Sequence, residues 1–231
     1  MIGLSKRERP RQKSVNPPRR LGDDEVSKLV GRARPSTRDL IAFYAFTGVR
    51  QSEGLGVTWA DIDLDEGSVR VHRQLARRKR GETAQLVPLK TARRESGCRE
   101  RVIELTPDLV ALLKRRKRDA FAAGRARPED FVFCTETGGP FYFRNVARAL
   151  TTAATRAGLN GEGVPAPTTQ DLRHSAISRW VAAGIDPVTV ARWAGDDLQT
   201  ILRVYAGDFE TAKRRDEHRR LLAAGTAIRL A

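Results

Sequence analysis

Apolar residues change their spacing between residues 60 and 105, and this change constrains the fold of the chain more than any other feature. Within that range apolar and polar residues alternate, as in DIDLDEGSVRVHRQL and TAQLVPL, and Asp65-Glu66-Gly67 offers a turn. Outside it the spacing is that of helices. The pattern predicts a mainly α fold (class α+β) with a small three-stranded antiparallel sheet.

Helices are predicted both before and after the sheet in the sequence. A short one lies in LGDDEVSKLVGRA, a buried one in PSTRDLIAFYAFTG has Gly48 as its C-cap, and a third opens with the capping sequence Thr106-Pro-Asp. A short strand and loop follow from Phe131, and then successive helices run to about Leu222. Breaks in these last helices are expected at 158–167, 184–187 and Gly195.

We predict that residues 1–20 form an irregular basic leader, because they are charged, contain adjacent prolines and lack apolar periodicity. Residues 21–231 predict one domain that ends in a tail helix from about residue 210. A chain of 231 residues is long enough to bury one sizeable core, with two small domains as the alternative.

Composition indicates a polyanionic partner, because the net charge is +15. Nucleic acid fits this charge better than a membrane, since no stretch has the apolar length of a spanning helix and no secretory leader is expected. A generic solvated basic surface is the simpler alternative. Cys98 and Cys134 are the only cysteines, so we expect a reducing compartment. The histidines have no metal-ligand spacing: His72, His174 and His218.

Two separated motifs carry residues suited to phosphate chemistry. In TGVRQSEGLGVTW, Arg50 is followed three residues later by Glu53, which could orient the guanidinium; an ordinary surface pair is the alternative. In QDLRH, one helical face presents Gln170, Arg173 and His174, and the opposite face is apolar.

Tyr205 follows the second motif, 32 residues after Arg173, and we expect it at or near a helix end. A buried aromatic is the alternative for an isolated tyrosine. Two arginines can hold the two non-bridging oxygens of a phosphate while a phenol attacks phosphorus.

These ordered motifs resemble the catalytic domain of the tyrosine recombinase, or phage integrase, family over about residues 21–207. The resemblance implies that Arg50 and Arg173 clamp the scissile phosphate, that Tyr205 forms a 3′-phosphotyrosyl link, and that His174 supports the site. Thr200 also matches the family, five residues before the tyrosine. The implied reaction is site-specific DNA recombination, integration or excision, without metal or nucleotide cofactor.

The resemblance also implies a lysine that protonates the leaving 5′ oxygen. Lys90, in VPLKTARRES, occupies the place of the lysine-threonine pair found in the phage integrase branch. An ammonium suits this role if nearby positive charge lowers its pKa. Neighbouring arginines could do so, and they include Arg93, Arg94, Arg99 and Arg101. Lys79 is the second candidate.

Two positions depart from the family pattern. Gln170 stands where histidine is usual, and Asp196 stands where histidine or tryptophan is usual. An aspartate facing the phosphate would repel it, whereas an aspartate capping the next helix would be harmless. We expect Trp193 to be core. A catalytically silent DNA-binding relative is therefore the alternative function, and a type IB topoisomerase is a third possibility.

The family further implies a double-stranded DNA partner, a tetramer in synapsis and a cytoplasmic, prokaryotic or phage-encoded protein of a mobile element. Its members normally have an N-terminal core-binding domain. The chain is then either a piece of such a protein or a shortened relative. The tail would pack on a neighbouring protomer or fold back on its own domain.

Overall fold

A computed structural model describes residues 19–76, 82–89 and 100–225, with side chains up to residue 215. The helices are α1 (Asp23–Arg32), α2 (Pro35–Thr47), α3 (Gln51–Gly54), α4 (Pro107–Ala122), α5 (Phe143–Arg156), α6 (Thr169–Ala182), α7 (Pro187–Ala194) and α8 (Leu198–Gly225). The strands are β1 (Ile62–Asp63), β2 (Ser68–Val71), β3 (Arg73–Leu75), β4 (Leu86–Pro88) and β5 (Arg101–Glu104). This architecture confirms the mainly α prediction.

The predicted three-stranded antiparallel sheet is present, in the order β1-β2-β5. Its register places Val69 opposite both Ile62 and Ile103. Alternation along β5 turns Arg101 and Ile103 inward and leaves Val102 and Glu104 exposed. A separate two-stranded antiparallel sheet, β3-β4, was not anticipated from the sequence.

Local chemistry explains where the helices that carry the site begin and end. Thr168 caps α6 by accepting a hydrogen bond from the Asp171 amide, and Asp186 caps α7 through the amides of Val188 and Thr189. Gly48 and Gly195 end α2 and α7 in the left-handed conformation, at φ of 58° and 65°. The predicted C-cap at Gly48 and the break at Gly195 are confirmed.

One hydrophobic cluster extends from Leu21 to Tyr205 and includes residues from both the helices and the three-stranded sheet. Helix α6 packs on α2 and α8, so it lies at the centre of the helical layer. The apolar face predicted for α6 is buried, and it comprises Leu172, Ala176, Trp180 and Val181. Burial of this face fixes the position of α6, and with it the positions of Gln170, Arg173 and His174.

Three details differ from the sequence-based expectations. Residues 131–140 contribute isolated bridges, Thr58 to Phe131 and Cys134 to Pro140, instead of a strand. Tyr205 is the eighth residue of α8 and so lies inside a helix, because α8 continues past it to Gly225. The region expected as a tail continues α8, and its residue Ala212 packs against the core of the same chain. None of the described helices is long and apolar enough to cross a membrane.

Candidate active site

Arg50 lies at the N-cap position of α3, directly after the turn that ends α2. Its Nη1 donates to Glu53 Oε1 at 3.1 Å, and its Nη2 donates to the Gly195 carbonyl at 3.1 Å. The same Nη2 lies 2.6 Å from Asp196 Oδ1. About a third of the Arg50 side chain, 32%, is exposed, so the guanidinium faces the surface of the site.

Arg173 is buried on α6, and backbone carbonyls hold its guanidinium. Nη1 donates to Gly48 O at 2.7 Å, and Nη2 donates to Ala194 O at 2.6 Å and to Asp196 Oδ2 at 2.6 Å. Burial, followed by the charge of Arg50, lowers the pKa of Arg173 from its usual value. The sequence predicted that Arg173 would face a ligand from a helix, but not that its side chain would be buried.

Glu53 is a buried carboxylate that bonds to both Arg50 and Arg101. Its side chain is buried and accepts a hydrogen bond from the Arg50 amide at 2.8 Å, which closes the first turn of α3. It also forms a 2.6 Å ion pair with Arg101, which is equally buried on β5. Burial alone would raise the pKa of Glu53, but the charges and hydrogen bonds of Arg101 and Arg50 outweigh it and lower the pKa to about 2.

Arg101 is the supporting residue that sequence reasoning assigned to another role, as one of the cations near Lys90. In the structure its Nε donates to the Trp193 carbonyl at 2.7 Å, so it ties β5 to both α3 and α7. It also closes off the space beside Gly195, where an added Cβ would lie 3.0 Å from its Nη1. The inward position of an arginine in the alternation of β5 was the available signal, since a buried arginine needs a buried carboxylate.

Asp196 bridges the two arginines of the candidate site. One carboxylate oxygen bonds to Arg50 and the other bonds to Arg173. The neighbouring Asp197 caps α8 instead, with Oδ1 accepting from the Thr200 amide at 2.7 Å and Oδ2 from its hydroxyl at 2.8 Å. Of the two positions expected for Asp196, the structure therefore selects the one facing the arginines. Trp193 is core, as predicted, and packs edge-on against Trp180.

Tyr205 and His174 form a close pair between α8 and α6. The Tyr205 hydroxyl lies 2.5 Å from His174 Nδ1, while the ring is part of the core. Burial, against the opposing charges of Arg173 and Arg20, raises the pKa of Tyr205 to about 12. Burial, followed by the charge of Arg173, lowers the pKa of His174. A neutral imidazole is therefore the form that meets a neutral phenol at pH 7.

Gln170 lies one turn before His174, with Nε2 3.4 Å from His174 Nε2. A glutamine amide carries both a donor and an acceptor, so it can bond to either tautomer of the imidazole. As placed, the Gln170 amide nitrogen can only donate, so His174 Nε2 accepts and the ring proton of His174 lies on Nδ1. When the Gln170 amide turns so that its oxygen accepts from a protonated His174 Nε2, Nδ1 of His174 is free to accept the phenol proton of Tyr205. Gln170 thus contacts the site through His174, although it cannot itself take up a proton.

The two lysine candidates, Lys90 and Lys79, lie outside the described residues. Leu89, immediately before Lys90, is buried at the end of the two-stranded sheet. The identity of the lysine that would act on the leaving group stays a prediction from sequence.

Comparison with known proteins places this chain in a family. Residues 19–211 match the phage integrase family. A XerC-like tyrosine recombinase from Caldanaerobacter subterraneus subsp. tengcongensis is 25% identical over 190 residues, which are 75% of this chain. The chain spans 46% of the length of that relative.

Solved structures share the fold. The Tn1549 transposon integrase in complex with transposon right end DNA superposes with a TM-score of 0.69, at 19% identity over 91% of this chain and 68% of that one. XerA recombinase gives a TM-score of 0.63, at 18% identity over 89% of this chain and 66% of that one. The chain belongs to the phage integrase family, and residues 19–211 form its tyrosine recombinase catalytic domain.

Proposed function

We propose that the protein cleaves and rejoins DNA strands in site-specific recombination, through a covalent 3′-phosphotyrosyl intermediate. The observation that carries the proposal is the convergence of Arg50 and Arg173 on one anionic position, with the His174–Tyr205 pair on the adjoining helices. The similar structures include a transposon integrase with transposon DNA and a λ integrase dimer bound to a core site, and they support DNA as the substrate.

The first step would be exchange of one anion for another. A scissile phosphate diester carries a single negative charge and two non-bridging oxygens, so it can take the place of the Asp196 carboxylate on Arg50 and Arg173. Displaced Asp196 must then turn away from the phosphate. At about 5 Å and an effective dielectric constant of about 20, the two anions would repel each other by about 3 kcal/mol.

Strand cleavage would then proceed by attack of the Tyr205 oxygen on phosphorus. The phenol proton passes to Nδ1 of His174 as the O–P bond forms. The P–O5′ bond breaks, and Lys90 is proposed to donate the proton that the 5′ oxygen takes up. Rejoining is the reverse reaction, with a 5′ hydroxyl of another strand attacking the phosphotyrosine and His174 returning the proton.

Two arginines stabilise the charge that develops on the non-bridging oxygens during both steps. Their positions depend on the buried Glu53–Arg101 pair and on the carbonyls of Gly48 and Gly195. Preorganisation of this kind matters because the guanidinium groups need not move when the transition state forms. Glu53 and Arg101 are therefore proposed as positioning residues and not as catalytic ones.

The proposal extends to assembly and location. A synaptic tetramer on paired DNA sites and association with the nucleoid follow from the family resemblance. The λ integrase structure, a dimer bound to a core site, supports self-association in a relative.

The direct test is covalent capture of DNA. The protein is incubated with nicked suicide duplexes whose central sequence is randomised, and the adducts are separated under denaturing conditions and sequenced, so that the captured duplexes themselves reveal the site. Wild type is expected to form the adduct and Tyr205→Phe to form none while binding DNA normally, because only the attacking oxygen is lost. Tyr142→Phe is the matched control and should retain the adduct.

Two outcomes would oppose the proposal. An adduct that survives Tyr205→Phe removes this residue from the reaction. DNA binding by the wild type without any adduct would instead support the alternative, a DNA-binding relative whose arginine clamp is closed by Asp196.

A further inference from the structure

Residues 19–21, here called the strap, lie across the two helices that carry the reacting groups. The Leu21 amide donates to Ser175 Oγ on α6 at 2.7 Å, and the Leu21 side chain is buried in the core. Arg19 Nη1 bonds to the carbonyls of Leu159 and Pro165 at 2.8 and 2.9 Å. The strap is therefore anchored on both sides of Arg20.

Arg20 is directed at the turn of α8 that contains Tyr205. Its Nη1 lies 2.6 and 2.7 Å from the two carboxylate oxygens of Asp208, and its Nη2 lies 3.3 Å from the Val204 carbonyl. The central carbon of its guanidinium is 5.1 Å from the centroid of the Tyr205 ring. Ser178 of α6 donates to the same Asp208 at 3.0 Å, which completes the connection between the strap, α6 and α8.

We propose that Arg20 is a positioning residue for the nucleophile: its guanidinium holds the turn that carries Tyr205 and places a positive charge on the face of the phenol ring. The proposal rests on the proposed role of Tyr205 in strand cleavage. Two independent contacts support it, the ion pair with Asp208 and the cation–π contact with the ring.

The charge of Arg20 acts in the direction that the reaction requires. A phenol attacks phosphorus more readily as its proton leaves, and a cation on the ring face stabilises the developing phenolate. Burial raises the pKa of Tyr205, while Arg173 and then Arg20 oppose that rise. The charged and titratable groups that face Tyr205 from the surrounding elements are Arg20, Arg173, His174, Asp196 and Asp208.

Adjacent arginines of the strap provide a matched pair of variants. Arg20→Gln and Arg19→Gln each remove one positive charge, yet only the first removes a contact with Tyr205 or its turn. Arg20→Gln should slow single-turnover cleavage of the captured duplex by about three- to tenfold at pH 7 and shift the pH–rate profile to higher pH, as expected for a cation–π contact. Arg19→Gln should leave the profile in place. Arg20→Lys keeps the charge and should restore the position of the profile.

A spectroscopic measurement separates this proposal from the proposed function. The chain has three tyrosines, so 3-fluorotyrosine gives a small set of ¹⁹F signals that Tyr205→Phe assigns. The ¹⁹F titration of residue 205 should move to higher pH in Arg20→Gln and stay unchanged in Arg19→Gln, with no DNA present. Absence of any wild-type adduct would contradict the proposed function without altering this result.

An unchanged ¹⁹F titration in Arg20→Gln would overturn the proposal, as would equal effects of the Arg19 and Arg20 variants on the cleavage profile. A uniform loss of cleavage at every pH, with no shift of the profile and no rescue by Arg20→Lys, would also overturn the proposal, because it would mean that Arg20 contributes only to the stability of the fold. Thermal melting of each variant confirms that the domain is folded under the conditions of the assay.

Discussion

The carboxylate of Asp196 bonds to both Arg50 and Arg173, each at 2.6 Å, and a phosphate would need the same donors. Its position after the glycine that ends α7 places it on a turn, where a side chain can rotate away without disturbing a helix. In the free protein this single carboxylate pairs with two neighbouring cations, one of them buried. We expect the same contact to keep other anions away from Arg50 and Arg173.

Replacing Asp196 by asparagine should open the clamp to small oxyanions. The Asp196→Asn protein is expected to be stabilised by inorganic phosphate or tungstate by about 1 kcal/mol or more, a rise in Tm of about 3 °C, because two arginines have lost their anion. Wild type should respond much less. Differential scanning calorimetry against oxyanion concentration makes the measurement.

Asp197→Asn is the control, since it removes the same charge one residue away and keeps a side-chain oxygen that can accept from the Thr200 amide and cap α8. An equal response of both variants would show that the effect is one of net charge. In the cleavage assay, Asp196→His should be faster than wild type by about one to two orders of magnitude, because a repulsion of about 3 kcal/mol is replaced by a donor.

At the scale of the elements, the buried Glu53–Arg101 pair connects α3 to β5, and Arg101 continues the connection to the end of α7. These are the elements that present Arg50 and Asp196. Removing one partner of a buried pair leaves the other charge uncompensated and is therefore strongly destabilising. The site therefore depends on a contact between chain segments 48 residues apart.

Stability should depend on the ionisation of Glu53. Its pKa is lowered in the folded protein from 4.5 to about 2, so its contribution is complete above pH 4.5 and is lost as the pH falls toward 2. The contribution amounts to about 3 kcal/mol. Urea unfolding at pH 6 and pH 3 should show this loss in wild type, whereas Glu53→Gln should be weaker at pH 6 by about 3 kcal/mol and lack this part of the pH dependence.

Glu210→Gln is the matched control for Glu53→Gln. Glu210 is exposed and pairs only at 3.8 Å with Arg214, so its replacement should change stability little and leave the acid-induced loss in place. If Glu53→Gln retained the full pH dependence, the loss would belong to other carboxylates.

At the scale of the whole molecule, the net charge of +15 governs encounter with DNA. We expect two basic stretches, residues 70–101 and 114–118, to contact DNA. Some of their arginines are already paired within the protein: Arg70 with Glu100, and Arg115 and Arg116 with Asp39. Fewer cations are then available to phosphates than the sequence count indicates. The remaining excess is still large enough for electrostatic binding.

Binding to a labelled mixed-sequence duplex should weaken steeply with salt. If about six phosphates are contacted, the logarithm of the binding constant should fall with the logarithm of salt concentration with a slope of about −5. Fluorescence anisotropy between low and physiological salt gives the slope, and a second duplex of unrelated sequence should give the same value. A flat dependence would contradict binding through the basic surface.

Much of the fold and of the candidate site follows from local sequence. Caps at Thr106, Gly48 and Gly195 mark helix boundaries because the backbone groups at helix ends must be satisfied within a few residues. The alternation of apolar and polar residues between residues 60 and 105 predicted the sheet, because successive side chains of a strand point to opposite faces. The spacing of Arg50, Arg173 and Tyr205 identified the family, since the order of reacting groups along the chain is a property of sequence alone.

Tertiary structure decided how these residues meet. Sequence alone left Asp196 with two possible positions, because a carboxylate is satisfied both by the arginines and by the N-terminal amides of α8. In the structure Asp197 caps α8, and Asp196 faces the arginines. Arg101 belongs to the site through contacts with Glu53 and Trp193, which are remote in the chain. Burial and charge act through space, so contacts between distant segments, and the pKa values that depend on them, come from the folded arrangement.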